Sequence, residues 1–339
     1  MKAKKQDHYS NKRRILHEIV PLEQPFTINF EPITFCNLRC NFCIYSQDKS
    51  VLEKGGHYFE RMSNETFNRC IKQISEFKEP IKTISFIGTG EPLLHSELPE
   101  MIHKIKESKL AEKIILVTNG VLLSKGLVEK LLDAGIDVIK ISVNGLSSDD
   151  YQKNCGVKIN FEEYINNIKY LYENRGKCRI LIKTLTSVLG DKKEDAFFNL
   201  FGDICDEISV ERTMPYFEEV KYDEGVMNNG NSRYQSVNRC VKVCAAPFMR
   251  MGIRVDGAVN ICGCRVGVNT PRMNVYDDSL YGIWNGEEHK EILLNILTQK
   301  FEGITRNCET CISRTDFAFE EDYLDPYADE IYERIQNGS

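Results

Sequence analysis

Three cysteines near the start of the chain have the spacing of a metal-binding loop. Cys36, Cys40 and Cys43 form a C-x3-C-x2-C segment, and thiolates are soft ligands that hold zinc ions or iron–sulfur clusters. A structural zinc site closes its fourth position with another protein ligand, and the next Cys or His, His57, is a poor fit for that role. The pattern favours a metal centre with one open position; a zinc knuckle and three unrelated core cysteines are the alternatives.

The segments around these cysteines indicate an α/β fold. Residues 26–30 alternate like a half-buried strand, so the cysteines come at the carboxyl end of a strand, where α/β proteins place active sites. Periodicity predicts strands at 27–33, 82–87, 113–118, 138–143, 179–186 and 207–211. It predicts helices between them at 64–77, 97–108, 124–134, 161–174 and 194–201. This alternation predicts a parallel sheet covered by helices, with fewer units than a closed eight-fold barrel.

Composition argues against membranes and nucleic acid as partners. The chain has 339 residues, is 42% hydrophobic and carries a formal net charge of -6, which allows a sizeable core and has the wrong sign for nucleic-acid binding. It lacks an apolar run of the roughly 20 residues that span a membrane, and it lacks a signal-peptide pattern. We therefore expect a cytoplasmic protein whose basic segment 2–5 is a solvated tail. Its 13 cysteines then indicate metal ligation rather than disulfides.

Small and polar residues follow other predicted strands. Gly90 and Glu91 belong to a Gly-Thr-Gly-Glu-Pro run after the second strand; glycine allows close backbone approach, and a carboxylate accepts hydrogen bonds from an ammonium group. Polar residues on the third, fourth and fifth strands or at their ends are Asn119, Ser142, Asn144 and Lys183. Each also fits an ordinary role in a strand-end turn or, for the lysine, on the barrel or protein surface.

A second set of cysteines lies in the C-terminal third of the chain. Cys308 and Cys311 form a C-x2-C pair, which supplies two ligands of a tetrahedral sulfur site. Cys244 precedes a predicted β-hairpin with an Asp-Gly turn, and Cys262 ends that hairpin. Four thiolates could thus close one cluster or a structural zinc site. Four cysteines remain, and we interpret them as core or near-surface thiols without a catalytic role: Cys70, Cys155, Cys178 and Cys205.

The first group of motifs resembles the signature of the radical S-adenosylmethionine (SAM) superfamily. The resemblance implies a partial (β/α)6 barrel, TIM-like and open on one side. It implies a [4Fe–4S] cluster held by Cys36, Cys40 and Cys43, with SAM chelating the open iron.

The resemblance also implies contacts with SAM. Phe42 matches the aromatic position near the adenine, and Gly90 and Glu91 match the element that contacts the SAM amino group. Thr89 departs from the usual first glycine of that element. The resemblance implies that the ribose and carboxylate of SAM are contacted by residues on the strands or at their ends: Asn119, Ser142, Asn144 and Lys183.

The C-terminal segment resembles the twitch domain, a shortened form of the SPASM domain. The matching pieces are C-x12-G-x4-C, segment 279–285 and the closing C-x2-C. No cysteine follows Cys311, so the resemblance implies one auxiliary [4Fe–4S] cluster. Its implied ligands are Cys244, Cys262, Cys308 and Cys311. Cys264 could replace Cys262, and Cys240 could replace Cys244.

These resemblances divide the chain into five parts. They predict an N-terminal extension at 1–25, the partial barrel at 26–215, a linker or substrate loop at 216–243, the auxiliary cluster domain at 244–315 and a tail at 316–339. Specificity is expected in the loops, where Tyr216, Tyr222, Arg233 and Tyr234 could line a polar sugar site.

The resemblance implies a function as well. Reductive cleavage of SAM would give a 5′-deoxyadenosyl radical that takes hydrogen from a small polar substrate. One auxiliary cluster as electron acceptor fits oxidation of a sugar or aminocyclitol alcohol to a ketone, a layout similar to that of the butirosin aminocyclitol dehydrogenase. An electron donor such as flavodoxin or ferredoxin is then expected. Glu211 and Arg212 end the sixth strand and are the candidate catalytic residues, as base and oxyanion-binding group; the alternative is that Arg212 pairs with Glu211 or with another carboxylate at the rim.

Two other functions are alternatives to this one. A peptide-modifying radical SAM/SPASM maturase, of the ribosomal-peptide or sulfatase type, is disfavoured because only about 25 residues precede the first strand. A non-catalytic electron carrier is disfavoured because it has no need of the SAM-binding motifs.

Overall fold

A single sheet of nine strands organises the part of the chain that the computed structural model describes: residues 1–5, 13–54, 57–190, 194–217, 220–222, 226, 233–234, 240–262, 273–301, 308–314 and 319–338. The strands β1 to β9 are Lys4–Lys5, Thr27–Phe30, Thr83–Phe86, Ile114–Thr118, Val138–Ser142, Arg179–Leu185, Glu207–Glu211, Arg250–Ile253 and Val259–Asn260. Their order across the sheet is β1-β7-β6-β5-β4-β3-β2-β8-β9.

The six strands predicted from the sequence form the parallel centre of this sheet. From β2 to β7 every neighbouring pair is parallel, as expected when a helix connects each strand to the next. The predicted α/β class and parallel sheet are therefore confirmed. Strand β2 ends at Phe30, earlier than predicted, because Pro32 has no N–H to donate to a neighbouring strand.

Helices connect the strands and cover the sheet. The helices α1 to α12 are Leu16–Ile19, Lys49–Lys54, Asn64–Ile74, Leu98–Glu107, Lys125–Asp133, Ser148–Cys155, Phe161–Asn174, Thr186–Leu189, Glu194–Phe201, Leu280–Asn285, Glu287–Leu297 and Ala328–Gln336. Five of them begin after a side chain that accepts the backbone N–H three residues on: Ser63, Ser124, Ser147, Asn160 and Ser279. Helix α6 was not predicted because its residues are mostly polar and show little apolar periodicity.

The two faces of the strands differ in polarity. Ile28, Phe30 and Phe86 are fully buried, and the Phe30 ring packs against Phe67 of α3 with ring centroids 5.5 Å apart. Side chains alternate along a strand, so Asn29 lies on the other face. In-register pairing extends that face across the sheet, where its polar members include Ser85, Lys140, Ser142, Lys183 and Glu211.

The C-terminal hairpin extends the same sheet. Strand β8 pairs in parallel with β2, and β9 returns antiparallel to β8. The turn is the predicted Asp-Gly pair: Gly257 has a φ of 81°, which glycine adopts without strain, and Ala258 N–H donates to the Asp256 carboxylate over 3.1 Å. The proposed boundaries between domains stay a prediction, but no break in the sheet separates the hairpin from the barrel strands.

Side-chain contacts tie the C-terminal helices to the first half of the chain. Trp284 Nε1 donates to the carbonyl of Leu22 over 2.8 Å. The Gln73 amide on α3 donates to the Val275 carbonyl over 2.8 Å and accepts from Leu280 N–H over 3.2 Å. These contacts join residues about 200 or more positions apart in sequence.

The N-terminal basic segment corrects one expectation. Lys4 and Lys5 pair in parallel with Glu207 and Ile208 of β7, so they form an edge strand rather than a solvated tail. The open edge of β7 offers unpaired backbone groups that a short strand can satisfy. Among the described residues, no helix combines the length and the apolar character needed to cross a membrane.

The continuous sheet predicts that the barrel and the hairpin segment unfold together. Trp284 is the single tryptophan of the chain and reports on the C-terminal segment, whereas far-UV circular dichroism reports mainly on the barrel. In urea, we expect the two signals to give coincident transitions. A tryptophan transition complete at a lower urea concentration than the circular-dichroism transition would contradict this.

Candidate metal centre and active site

The cysteine loop follows β2 and is pinned to the end of helix α6. Arg39 N–H donates to the Cys155 carbonyl over 2.9 Å, and Asn41 N–H donates to the Asn154 carbonyl over 2.8 Å. Within the loop, Cys43 N–H donates to the Cys40 carbonyl over 2.9 Å. Backbone hydrogen bonds thus fix a loop that has no regular structure of its own between Cys36 and Cys43.

Gly90 packs directly against the backbone that leads into this loop. A Cβ atom at Gly90 would lie 2.3 Å from the Ile33 carbonyl oxygen and 2.7 Å from the Phe35 carbonyl oxygen. The next residue, Glu91, donates its N–H to the same Phe35 carbonyl over 3.0 Å. The sequence predicts that this glycine lets a ligand come close to the backbone. In the structure, the group that comes close to Gly90 is the backbone leading into the cysteine loop.

Glu91 is a buried hydrogen-bond acceptor beside the loop. Its carboxylate accepts from Thr118 Oγ1 at 2.6 Å, Asn119 N–H at 2.7 Å and Leu93 N–H at 3.0 Å. Burial raises the pKa of Glu91, and these donors oppose the rise. Glu91 therefore locks the end of β4 to the glycine run; its predicted contact with the SAM amino group stays a prediction.

Two asparagines predicted at the strand ends direct amide groups at cysteine sulfurs. Asn119 Nδ2 lies 3.9 Å from Cys36 Sγ and donates to Asn37 Oδ1 over 2.8 Å. Asn144 Nδ2 lies 3.6 Å from Cys40 Sγ. N–H donors to sulfur tune the potential of iron–sulfur clusters. Both residues thus meet the loop that carries the predicted metal ligands.

Two buried tyrosines hold these asparagines in place. Tyr164 OH donates to the Asn119 carbonyl over 3.2 Å, and Tyr151 OH accepts from Asn144 N–H over 3.2 Å. The two rings meet edge to face with centroids 5.7 Å apart. Burial raises the pKa of both phenols, so both stay neutral. The tyrosines come from α6 and α7, so these helices position the strand-end amides.

The chemistry of the three thiols fits a bound cationic group. Burial raises the pKa of Cys36 to about 12 and also raises that of Cys43. The pKa of Cys40 rises mainly because its thiol is hydrogen-bonded to the Cys155 thiol, with burial adding to the effect. Buried thiolates need a compensating positive charge, which metal ions supply. Three such sulfurs, two of them approached by amide N–H groups, fit an iron–sulfur cluster.

A single-ion zinc site fits this loop less well. In the described ranges, no three Cys, His, Asp or Glu side chains converge closely enough to hold one metal ion. His57, weighed above as a fourth ligand, is buried and its Nε2 lies 2.9 Å from the Thr34 carbonyl and 3.1 Å from Tyr45 OH. The Nε2 atom of His57 is therefore held by these two oxygens, whereas its buried Nδ1 has no hydrogen-bond partner among the described residues.

A cavity of about 440 Å³ opens beside the cysteine loop. It lies at the carboxyl ends of β2, β3 and β8, where Glu31, Thr89 and Arg254 contribute to its wall. It borders Cys43 of the first cysteine set and Cys244 of the second. Three of the four residues predicted for a polar substrate site also line it, namely Tyr216, Arg233 and Tyr234. Tyr222 does not line it, and its hydroxyl donates to the Phe42 carbonyl over 3.2 Å.

Several predicted residues lie away from this cavity wall. Lys183 donates to the Glu211 carboxylate over 2.9 Å, and it is the register partner of Ser142. Arg212 is buried, and its Nη2 donates to the Val226 carbonyl over 2.7 Å. The alternative that Arg212 pairs with Glu211 or with another carboxylate at the rim stays a prediction. Their predicted catalytic roles, and those of Ser142 and Lys183 toward SAM, stay predictions.

The second cysteine set is partly assembled by Arg314. This residue follows the C-x2-C turn, in which Cys311 N–H donates to the Cys308 carbonyl over 3.3 Å. Arg314 Nε donates to the Val241 carbonyl over 3.0 Å, and Val241 N–H returns a 2.8 Å bond to the Arg314 carbonyl. The turn is thereby held near the segment of Cys244.

The described contacts do not tie the other predicted ligands of the auxiliary cluster to the C-x2-C turn. Cys262 lies after β9, where its N–H donates to Asn260 Oδ1 over 2.9 Å. Cys240, an alternative ligand, is exposed. The other alternative, Cys264, lies outside the described residues.

Comparisons with known proteins agree with this site. Residues 30–197 match the radical SAM superfamily, and residues 244–312 match the SPASM iron–sulfur cluster-binding domain. The chain therefore belongs to the radical SAM superfamily and carries a C-terminal SPASM-type domain. These domains imply iron–sulfur clusters and SAM as cofactors.

Curated relatives align with only part of the chain. A probable GTP 3′,8-cyclase of Methanococcus maripaludis (strain C5) is 36% identical over 118 residues, which are 35% of this chain and 36% of the relative. The GTP 3′,8-cyclase of Clostridium perfringens is 26% identical over 197 residues, 57% of each chain. The chain thus spans little more than a third of the first relative and somewhat over half of the second.

Solved structures share the fold. BtrN in complex with AdoMet and 2-DOIA has a TM-score of 0.52 at 15% identity, covering 86% of this chain and 92% of BtrN. SuiB of Streptococcus suis, bound to its precursor peptide SuiA, has a TM-score of 0.61 at 18% identity, covering 88% of this chain and 72% of SuiB. At these identities the likeness establishes the architecture, so the predicted partial barrel with a C-terminal domain is confirmed.

Sequence reasoning missed three residues of this site. Glu31 and Arg254 face the cavity from the ends of β2 and β8, and the rule that active sites lie at strand ends could have identified Glu31. Cys155 is fully buried, as predicted for a core thiol. Its contact with Cys40, with sulfurs 3.4 Å apart, has no local sequence signal because the two residues are far apart in the chain.

The packing of Gly90 predicts a sharp effect of one added methyl group. In Gly90→Ala, the Cβ atom would collide with two backbone carbonyls, so the cysteine loop must move. After anaerobic reconstitution, we expect this variant to lose about four irons per chain, the content of one [4Fe–4S] cluster. Iron analysis and the visible absorption of the cluster measure the loss.

Gly126 provides the matched control. It lies in helix α5 with no atom within 4 Å of an added Cβ, so Gly126→Ala should keep its iron and stabilise the fold by about 0.5–1 kcal/mol. Normal iron loading of Gly90→Ala would show that the glycine is not needed for the loop.

Proposed function

We propose that this chain is a radical SAM oxidoreductase that oxidises an alcohol of a small polar substrate, a sugar or an aminocyclitol, to a ketone. The cavity that borders both Cys43 and Cys244 supports this proposal. A substrate held there would lie between the two cluster sites. That position suits a reaction in which one electron and one hydrogen atom leave the substrate on different sides.

The residues of the chain divide the work of holding cofactors. Cys36, Cys40 and Cys43 would hold the first cluster, with Asn119 and Asn144 donating N–H groups to two of the sulfurs. The implied auxiliary ligands are Cys244, Cys262, Cys308 and Cys311. When bound, the first cluster and SAM supply hydrogen-atom abstraction, and the second cluster supplies an electron acceptor.

The protein must also take up the alcohol proton. Glu211 was predicted for this role, but its carboxylate is buried and bound to Lys183. Glu31 lines the cavity, and Thr89 fixes one of its oxygens through an N–H bond of 2.9 Å and a hydroxyl bond of 2.7 Å. A carboxylate held in this way can accept a proton from a substrate hydroxyl. We therefore propose Glu31 as the base.

A second candidate function is a reaction on a nucleoside triphosphate. The two curated relatives described above are named as GTP 3′,8-cyclases, and three arginines line the cavity, Arg233, Arg250 and Arg254. Guanidinium groups bind phosphates well. Peptide modification is the third candidate, since SuiB was solved with its precursor peptide, but no described feature of the cavity selects a peptide.

Iron counting and SAM cleavage test the proposed chemistry. The anaerobically reconstituted full chain should hold about eight irons, as two [4Fe–4S] clusters do, and release 5′-deoxyadenosine when reduced with SAM. The Cys308→Ala/Cys311→Ala variant should hold about four irons. It should still cleave SAM, because the first cluster is intact, but it should not form ketone from a panel of sugars and aminocyclitols, with ketones trapped as oximes.

A double variant of two unrelated buried cysteines, Cys178→Ala/Cys205→Ala, is the control and should keep all of its iron. About four irons in the unmodified protein would contradict a second cluster and, with it, the oxidation. Failure of a fully loaded protein to cleave SAM would overturn the enzyme proposal altogether.

A further inference from the structure

One arginine in the cavity wall has a donor with no described acceptor. Arg254 Nε is buried and makes no hydrogen bond to any part of the chain that the structure describes. Arg254 forms an ion pair with Glu31, but the distance from Arg254 Nε to Glu31 Oε2 is 3.9 Å. That distance is too long for a hydrogen bond. Leaving a buried charged donor without a partner is costly, so this position calls for an acceptor from outside the chain.

The backbone on which Arg254 sits is firmly held. Arg254 directly follows β8, its N–H donates to the Ala258 carbonyl over 2.9 Å, and its carbonyl accepts from Gly257 N–H over 3.0 Å. These bonds belong to the hairpin turn, and β8 is itself paired with β2. The guanidinium therefore projects from a fixed point into the cavity, with its side chain 27% exposed.

Glu31 does not close on Arg254 because Thr89 holds it. Glu31 Oε1 accepts both the N–H and the hydroxyl of Thr89. Behind it, the Glu31 side chain is packed against Gly88, where an added Cβ would lie 2.5 Å from Glu31 Cγ. The carboxylate is thus anchored from one side, and a gap remains between it and the guanidinium.

The formal charges of the cavity wall favour an anion. The lining residues include three arginines, Arg233, Arg250 and Arg254, and two carboxylates, Glu31 and Asp322. Asp322 also forms an ion pair with Arg13, which is not a lining residue. The wall therefore carries an excess of positive charge, and a guanidinium presents paired donors that match the oxygens of a carboxylate or a phosphate.

We propose that Arg254 binds an oxyanion group of the substrate, a phosphate or a carboxylate, and so sets the substrate class. This inference rests on the proposed function, because it takes the cavity as the substrate site. It narrows the small polar substrate to one that carries an anionic group, and it places that group beside β8.

Calorimetric titration of the anaerobically reconstituted full chain tests this inference. The probes are sodium tripolyphosphate and sodium citrate at constant ionic strength, so that the two sources of the oxyanion are separated. Arg254→Gln should weaken binding of the preferred probe by roughly 10- to 100-fold, the loss expected for charge-assisted hydrogen bonds. Arg254→Lys should fall between, since it keeps the charge but loses the paired donors.

Glu31→Gln leaves Arg254 in place and should change the affinity for the probe in the opposite direction. It removes a negative charge from the wall while its side-chain oxygen can still accept from Thr89, so it should bind the probe more tightly than the unmodified protein. Arg69→Gln is the control, because Arg69 is an exposed residue of α3 outside the cavity and its loss should change nothing. Circular dichroism of each variant checks the fold.

The outcomes separate clearly. Binding of tripolyphosphate alone supports a phosphorylated substrate, and binding of citrate alone supports a carboxylate. Binding of neither probe, or equal binding by Arg254→Gln and Arg69→Gln, overturns the inference. SAM cleavage is measured on the same samples: cleavage without anion binding leaves the proposed enzyme standing and rejects only the role of Arg254, whereas a failure of cleavage counts against the enzyme.

Discussion

The site depends on the contact between the cysteine loop and the carboxyl ends of the neighbouring strands. A loop that carries one buried and two half-buried thiols is not stabilised by its thiolates alone, because burial disfavours a thiolate that has no positive partner. Here the strand ends supply the restraint. Because residue 90 is a glycine, the segment after β3 can pack against the backbone of the loop. Asn119 and Asn144 place amide N–H groups near two of the sulfurs. Residues of the chain itself therefore contribute to the shape of the loop.

The parallel sheet makes this arrangement possible and gives the cavity its position. Parallel strands bring their carboxyl ends to one edge, so residues from β2, β3 and β8 meet although they are up to some 220 positions apart in sequence. Because β8 joins the sheet beside β2, the segment that begins with Cys244 reaches the same cavity as Cys43. A separately tethered domain would need a stable interface to achieve the same proximity.

The predictable part of this structure is the part with local sequence signals. The six barrel strands and the helices between them followed from hydrophobic periodicity, and the predicted ligands of the first metal centre followed from the spacing of the cysteines. Contacts between distant segments had no such signal. Nothing near Arg254 in the sequence indicates that β8 pairs with β2. Helix α6, which carries Tyr151 and Cys155, was not predicted because its mostly polar residues show little apolar periodicity. Glu91 follows the second predicted strand, as expected, but its bonds to Thr118 and Asn119 depend on packing between β3 and β4.

Thr89 illustrates how one departure from a family pattern can carry specific chemistry. At the position of the first glycine in the resembled pattern, this chain places a hydroxyl that donates to Glu31 over 2.7 Å, a bond that glycine cannot make. The backbone N–H of the same residue would serve Glu31 with either side chain, so the hydroxyl adds a second restraint rather than a new position. That restraint keeps the Glu31 carboxylate from approaching Arg254, whose buried Nε then stays available to the cavity. The turn that packs against the cysteine loop therefore also influences the charge presented to the cavity.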